Sequence, residues 1–537
     1  MRHAARVLGW IVALGPLGML FPASASAQVA DPFAPTTRWT CAPSPAAAWM
    51  PVSVDFAAAG ELVIAAGALG SPRWMVFSGP APAGPNGQIQ PLLSGLANPA
   101  TLSTMQVRAG DQAGELFTLS QVPDPDNAHR RTEVARFDGL GPNALGAAVW
   151  THDLGLHVNG IARLCSAADG SRLVAIVNDT LTQALRIEWL DGASGALLSR
   201  IDCSGGTLRQ FAASADVESV AIVAGLELWV FDSLGNQRHH EILTASTQAL
   251  ALSGDGRTLL VGAPGLLRVL AWNSSLFTER SREIAPLSEL PVRCALSDDG
   301  GTWAAGWWNS ITGRDLRLEL RRAPNDALVW QELQSASAGA PQNYPEALCI
   351  ARDGRRAAFG LWGSQDGQPE VLLVDRDLAQ SIVRLDLPGS VLALALDPSA
   401  TRLAIAMKHA HANQFATSGE VRLFDTGERD IQALDQARLG LPLPVTAQRA
   451  GARSTWFLYG PRASSSQGVA GISGPLWLKR RGLSLIQAPA DATGRASANL
   501  PIPLIPSASG VPFSVQALFR SRAGSSLSSS VLDPLAL

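Results

Sequence analysis

An apolar strand, an Asp/Gly turn and a second apolar strand recur along most of this 537-residue chain, and no other feature constrains its fold as strongly. The unit reads LCSAADGSRLVAIV from Leu164, LALSGDGRTLLVGA from Leu250, CALSDDGGTWAAGWW from Cys294, CIARDGRRAAFGLW from Cys349 and LALDPSATRLAIAM from Leu394. Weaker copies are FAAAGELVIAAG from Phe56, FAASADVESVAIVAG from Phe211 and a degenerate stretch over 110–119. Asp169, Asp216, Asp255, Asp299, Asp353 and Asp397 mark the turns, at spacings of 47, 39, 44, 54 and 44 residues. A third and a fourth strand follow each hairpin, as in Arg186 to Leu190, the turn 191–195 and Leu197 to Ile201.

Four short strands in a period of about 40 to 50 residues cannot bury their own faces, and stacking such units radially gives a β-propeller. Inner strands covered on both faces by neighbouring blades account for the imperfect apolar/polar alternation. The predicted fold is therefore all-β, with eight blades starting near residues 51, 101, 159, 207, 246, 290, 344 and 390. Seven blades is the alternative, because the second copy is degenerate. The segment from Trp39 to Cys41 is expected to supply the outer strand of the last blade, pairing the chain ends so that no sheet edge is left open.

The segments RIEWLDGASGALLSRI and VARFDGLGPNALGAAVWTHDL resemble the strand–Asp–turn–Gly–Trp segment of PQQ-like propeller repeats, and SGDGRTLLVG is similar to WD-repeat and YVTN-type blades. The resemblance covers roughly residues 40–437, and Trp150 and Trp330 match the docking tryptophan of the PQQ-like blades. It implies blade geometry rather than an activity. Quinoprotein enzymes of this kind carry a vicinal disulfide beside the cofactor and a calcium site with a catalytic aspartate. Cys41, Cys165, Cys203, Cys294 and Cys349 lie at least 38 residues apart, which excludes a vicinal pair or a local C-x-x-C motif. Some of these five could pair in an oxidising compartment, while Cys165, Cys294 and Cys349 read as small buried hydrophobes inside strands.

From about Leu439 the repeat stops, and residues 438–449 read as a Pro-bearing linker. Residues 450–537 hold short strand-like runs punctuated by Gly, Pro and Ser, from which a small C-terminal β-sandwich is predicted. The stretch ADATGRASANLPIPLIPSASGVPFSVQALF resembles a C-terminal β-sandwich module of secreted bacterial proteins. At the other end, Arg2 and Arg6, the apolar run Val7 to Phe21 and Ala25-Ser26-Ala27 fit a signal peptide over 1–27. A secreted or periplasmic protein is expected, with the propeller over 28–437 and no integral membrane segment once the signal is removed.

Charge narrows the function. With 42 Lys+Arg against 45 Asp+Glu the chain has a formal charge of -3, which offers no basic surface for nucleic acid. The chain has no G-x-x-x-x-G-K-[ST], H-E-x-x-H or G-x-S-x-G motif, only two lysines (Lys408 and Lys479) and eight histidines. No catalytic residue and no cofactor are predicted.

Long polar loops between second and third strands mark the expected binding face. They begin at Gln121, Trp308, Gly363 and Lys408 and present Asn127, His129, Asn309, Asp315, Asp366, His409 and His411 as ligand-binding candidates. His409-x-His411 has a spacing that chelates a transition metal given a third ligand. Asp124 and Asp126 set carboxylates at alternating positions, as a calcium loop does. In both cases a solvated loop is the simpler reading. The expected function is thus a non-enzymatic exported scaffold that binds a protein, glycan or small ligand in the cell envelope or outside the cell. The alternative is an extracytoplasmic propeller enzyme, lactonase-like or quinoprotein-like.

Overall fold

The computed structural model describes residues between 36 and 536, leaving outside the description 42–48, 79–92, 96–102, 124–129, 139–147, 336–341, 503–513, 528–534 and several shorter segments. The described residues form an all-β structure with eight four-stranded antiparallel sheets. In seven of them the strands run in chain order, and the first strands are Met50–Ala57, Ser103–Ala109, Ile161–Ser166, Leu208–Ala213, Ala249–Leu252, Glu289–Leu296 and Pro345–Ile350. We number these blades 1 to 7. Blade 8 begins with Val391–Leu396 and takes its fourth strand, Thr36–Cys41, from the other end of the chain, with Trp39 opposite Leu423. Each first strand packs beside those of the blades before and after it, and blade 8 packs beside blade 1, which closes the ring.

Second strands carry the greatest burial. Every residue of Ser219–Ala224 and of Arg356–Leu361 is buried, because neighbouring blades cover both faces. Apolar clusters lie between blades rather than within them: Ile176 and Trp189 of blade 3 meet Leu208 and Ile222 of blade 4, and Leu373 of blade 7 meets Leu403 and Ile405 of blade 8.

The Asp/Gly repeat is explained by turn geometry. Ser214, Ser253 and Ser297 each donate through Oγ to the turn aspartate two residues on, at 2.6 Å, and each Oγ accepts a backbone N–H from across the hairpin. The residue after the aspartate takes a left-handed φ: +71° at Gly170, +68° at Gly256, +63° at Gly300 and +68° at Gly354. Asp397 differs. It stands three residues before the left-handed Ala400 and accepts from Thr401 N and Arg402 N, the work that serine does in other blades.

Backbone bonds then stitch the turns around the ring. Ala168 N donates to Ala215 O, Ala215 N to Gly254 O, Asp255 N to Asp298 O and Asp298 N to Arg352 O, at 2.8 to 2.9 Å. Trp150, singled out as a docking tryptophan, lies against Gly195 of the next blade and donates its Nε1 to Gly192 O at 3.1 Å. Trp330 instead packs against Phe359, with ring centroids 5.6 Å apart.

Beyond blade 8, a six-stranded sheet and a three-stranded sheet share one apolar core containing Ile431, Val445, Phe457, Val515 and Phe519. The segment read from sequence as linker differs from that expectation. Leu443–Gln448 is a strand that pairs with Arg495–Leu500 on one side and Ile431–Ala433 on the other, with Leu443, Val445 and Ala447 turned to the core. Its two prolines, Pro442 and Pro444, suggested a loop, but a strand tolerates proline where the missing N–H is not needed.

Candidate ligand-binding face and channel mouth

The connections between second and third strands emerge on the face where the first strands begin, at one mouth of the central channel. Asn309 and Asp315 sit there in blade 6; the Asn309 side chain is used by its own turn, and Asp315 enters that turn through its backbone N and O. Asn309 Oδ1 accepts from Ile311 N at 3.0 Å and Thr312 N at 3.2 Å, and Asn309 N donates to Asp315 O at 2.9 Å. His409 and His411 do not converge as a chelate. His409 Nε2 lies 3.5 Å from Glu420 Oε2 of its own hairpin, whereas His411 Nδ1 lies 3.6 Å from Glu370 Oε1 of blade 7. No group of three potential metal-ligating side chains occurs among the described residues. Asp124, Asp126, Asn127, His129 and Asp366 lie outside the described residues.

What the fold gathers at this mouth is a different set, from blades 6, 7 and 8. Trp308 and Tyr344 pack edge to face at 5.5 Å between centroids, and Tyr344 meets Trp362 at 5.1 Å, giving a ledge of three half-buried rings. Arg293 stands over Tyr344 at 5.9 Å and Lys408 over Trp362 at 5.8 Å. Glu346 ties these groups together. It accepts from Arg293 Nη2 at 2.6 Å and from Trp362 Nε1 at 3.1 Å. Lys408 Nζ donates to Ala412 O at 2.5 Å and Gln414 O at 3.0 Å, so the lysine holds the histidine-bearing loop in place. Burial lowers the pKa of Lys408, against the opposing charge of Glu346.

Repeat geometry explains how the channel wall is built. A one-residue bulge recurs in six of the first strands, and the residue after it is Ser53, Gln106, Gln210, Arg293, Ala347 or Ala393. Polar side chains here reach the first strand of the following blade. Ser53 Oγ accepts from Val107 N, Gln106 Oε1 accepts from Leu164 N, Gln210 Nε2 donates to Gln248 O, and Arg293 Nε donates to Glu346 O. First strands have a free inner edge, and these side chains satisfy the backbone groups that a ladder partner would otherwise take.

Deeper in the channel Asp55 accepts from Ala109 N and lies 3.9 Å from Arg108, whose Nε donates to Leu164 O at 3.1 Å. Burial raises the pKa of Asp55 despite Arg108. A separate cleft of about 250 Å³ at the edge of blades 4 and 5 is self-neutralised, with Arg268 held between Glu241 at 2.7 Å and Glu279 at 2.9 Å.

The five cysteines are all free thiols. Burial pushes Cys294 and Cys349 up to about 12 and Cys41 up to about 11, so each is held as a protonated thiol with little nucleophilic character.

Sequence reasoning placed the loops but missed Tyr344, Trp362, Arg293 and Glu346. Tyr344, Glu346 and Trp362 stand at or beside strand ends and Arg293 within the first strand of blade 6, none of them in the long loops, and the available signal was the aromatic residue closing the second strand of two successive repeats, GWW at 306–308 and LW at 361–362.

No family model matches this chain, and no curated protein matches it. Among solved structures it is similar to the C-terminal WD40 domain of Sif2, at 13% identity and a TM-score of 0.46, over 73% of this chain and 98% of that one. It is also similar to Chaetomium thermophilum Sqt1 bound to the N-terminus of the ribosomal protein L10, at 13% identity and a TM-score of 0.51, over 73% of this chain and all of that one. The fold of this chain is an all-β propeller of the kind seen in WD40 domains.

Proposed function

We propose that this protein is an exported, non-enzymatic propeller scaffold that binds a protein partner at the channel mouth of blades 6 to 8, with the C-terminal β-sheet module as an accessory. The observation that carries the reading is the ledge Trp308–Tyr344–Trp362, flanked by Arg293 and Lys408. Half-buried aromatic rings on rigid strand ends present large contact area at small entropic cost, and with arginine they dominate protein-binding hot spots. Propellers of WD40 type host such binding, and Sqt1 in its complex holds a ribosomal protein N-terminus. Export rests on residues 1–27, which lie outside the described residues, and N-terminal sequencing of the protein from a periplasmic or culture fraction should begin at Gln28.

The test of binding is capture from the extracytoplasmic fraction with wild type and with Tyr344→Ala/Trp362→Ala, matched for thermal stability. Loss of a specific captured protein in the double variant supports the reading. Capture that is unchanged removes the ledge as the binding surface.

A second reading, an extracytoplasmic propeller enzyme, draws on the acid and arginine together at the mouth, Glu346 and Arg293. It requires Glu346 to be free to reach a substrate, whereas its side chain already accepts hydrogen bonds from Arg293 and the Trp362 indole. Turnover abolished by Glu346→Gln with binding intact is the result that reading needs.

A further inference from the structure

Where blades 4 and 5 meet, on the face that carries the channel mouth, four large aliphatic side chains stand out of the surface in two pairs. Ile242 and Ile284 end the fourth strands of the two blades, and each is 72% exposed. Leu226 stands beside Ile242, in the turn before the third strand of blade 4, where its carbonyl accepts from Leu243 N at 2.7 Å. Leu287, 79% exposed, stands beyond Ile284 in the connection to blade 6, against Gly265 of blade 5. Earlier in both fourth strands the residues are charged, Arg238 and Glu241 in one and Arg280 and Arg282 in the other, which is how an outer strand avoids pairing with another chain. Isoleucine at both ends breaks that pattern, and neither side chain belongs to an apolar cluster of the fold.

The cleft of about 250 Å³ lies between the two pairs, with Leu243 and Leu266 among its walls. Charge is divided across it as well. The blade 4 side carries Glu241 and, beside His240, Glu227. The blade 5 side carries Arg268 and Arg282, with Glu279 between them, while Glu283 turns away to Arg317 and Arg321 of blade 6. Arg282 is more than half exposed and bonds to Glu279 through Nε alone, which leaves both of its terminal nitrogens to another acceptor.

We propose that this surface is occupied by a second copy of the chain, across a two-fold axis through the cleft. A two-fold exchanges the blade 4 side for the blade 5 side. It sets Leu226 and Ile242 of each copy against Ile284 and Leu287 of the other, and Arg282 of each copy against Glu227 and Glu241 of the other. The surface thus complements itself twice, with an aliphatic pair on each side of the axis and opposite charge on each side. A partner surface of one charge sign would be repelled by one half, and a wholly apolar one would leave the exposed charges without water or a counter-charge. Exposed apolar groups gathered in this way mark contact surfaces in soluble proteins. The aromatic ledge on blades 6 to 8 takes no part, so failure here leaves the protein-binding reading standing.

The experiment is sedimentation velocity of the mature full chain from about 0.5 to 50 μM, the range that resolves association of micromolar strength. Ile242→Asp/Ile284→Asp is the test variant. Both side chains are largely exposed, so surface substitution leaves the fold stable, and equal melting temperatures establish it. Arg282→Glu is a second variant that perturbs charge without touching the aliphatic pairs. A monomer–dimer equilibrium is expected for wild type, with dissociation about tenfold or more easier in the aspartate variant, because each substitution is met twice across the axis, and severalfold easier in Arg282→Glu. A chain that stays monomeric throughout overturns the inference and assigns the surface to a different partner. A dimer equally tight in wild type and both variants places the contact elsewhere and also overturns it, and growth past the dimer refutes the two-fold.

Discussion

Replacing Asp326 should separate the contribution of a buried charge between blades from that of the apolar core. The carboxylate is only 5% exposed and lies in the turn between the third and fourth strands of blade 6. It accepts from Trp303 Nε1 at 2.8 Å, from Arg280 of blade 5 at 2.7 Å through Nη2 and 3.2 Å through Nε, and from the Ser281 hydroxyl. Asp326→Ala strands a buried indole N–H, which costs about 1–3 kcal/mol. It also leaves Arg280 without its carboxylate, and breaking a fully buried pair costs about 3–5 kcal/mol. Arg280 keeps 22% exposure, so water recovers part of the second loss. The expected total is about 3 kcal/mol, and about 1–2 kcal/mol for Asp326→Asn, which keeps an acceptor for the indole.

The same site gives a pH signature. Burial pushes Asp326 up, but hydrogen bonds from Arg280, Ser281 and Trp303 outweigh it and hold the carboxyl below its ordinary value. A depressed folded pKa means stability that is fully present above the unfolded pKa of about 3.9 and is lost as pH falls through the folded value. The gap between wild type and Asp326→Asn should therefore be full at pH 6 and shrink below about pH 4. Urea unfolding followed by tryptophan fluorescence at both pH values measures it. Asp326→Ala within about 0.5 kcal/mol of wild type at pH 6, or a gap that widens in acid, would refute the reasoning.

Three further outcomes are expected. Gly195→Ala forces a Cβ to 2.6 Å from the Trp150 ring at a φ of +72°, so urea unfolding should report a loss of about 2 kcal/mol or more. Gln106→Leu removes the acceptor for Leu164 N between blades 2 and 3 and should cost about 1–2 kcal/mol, with increased hydrogen exchange at that amide. Ellman's reagent at pH 8 should leave Cys294 and Cys349 unreacted in the native protein and titrate all five thiols in denaturant; rapid native reaction at either would contradict their protonated state.

Strand order and blade geometry were legible from local sequence. Alternating apolar runs, the turn aspartates and the left-handed glycines act over a few residues, so their meaning does not depend on the rest of the chain. Even the closing strand around Trp39 was inferable, because a propeller must hide its edges. Other features were not legible. Leu443–Gln448 carries a proline signal for a loop, yet pairing with Arg495–Leu500, some 50 residues away, makes it a strand. His409 and His411 stand two apart in sequence, but Glu420 and Glu370 draw them to different sides.

The sequence alone determined the repeat, and with it a radial all-β architecture, because each unit encodes its own hairpins and cannot bury its faces without neighbours. Only the tertiary structure decided what the channel presents. Arg293 and Glu346 stand 53 residues apart in the chain. Blade 7 answers Arg293 with Glu346, and that pairing appears only when the ring sets each first strand beside the next.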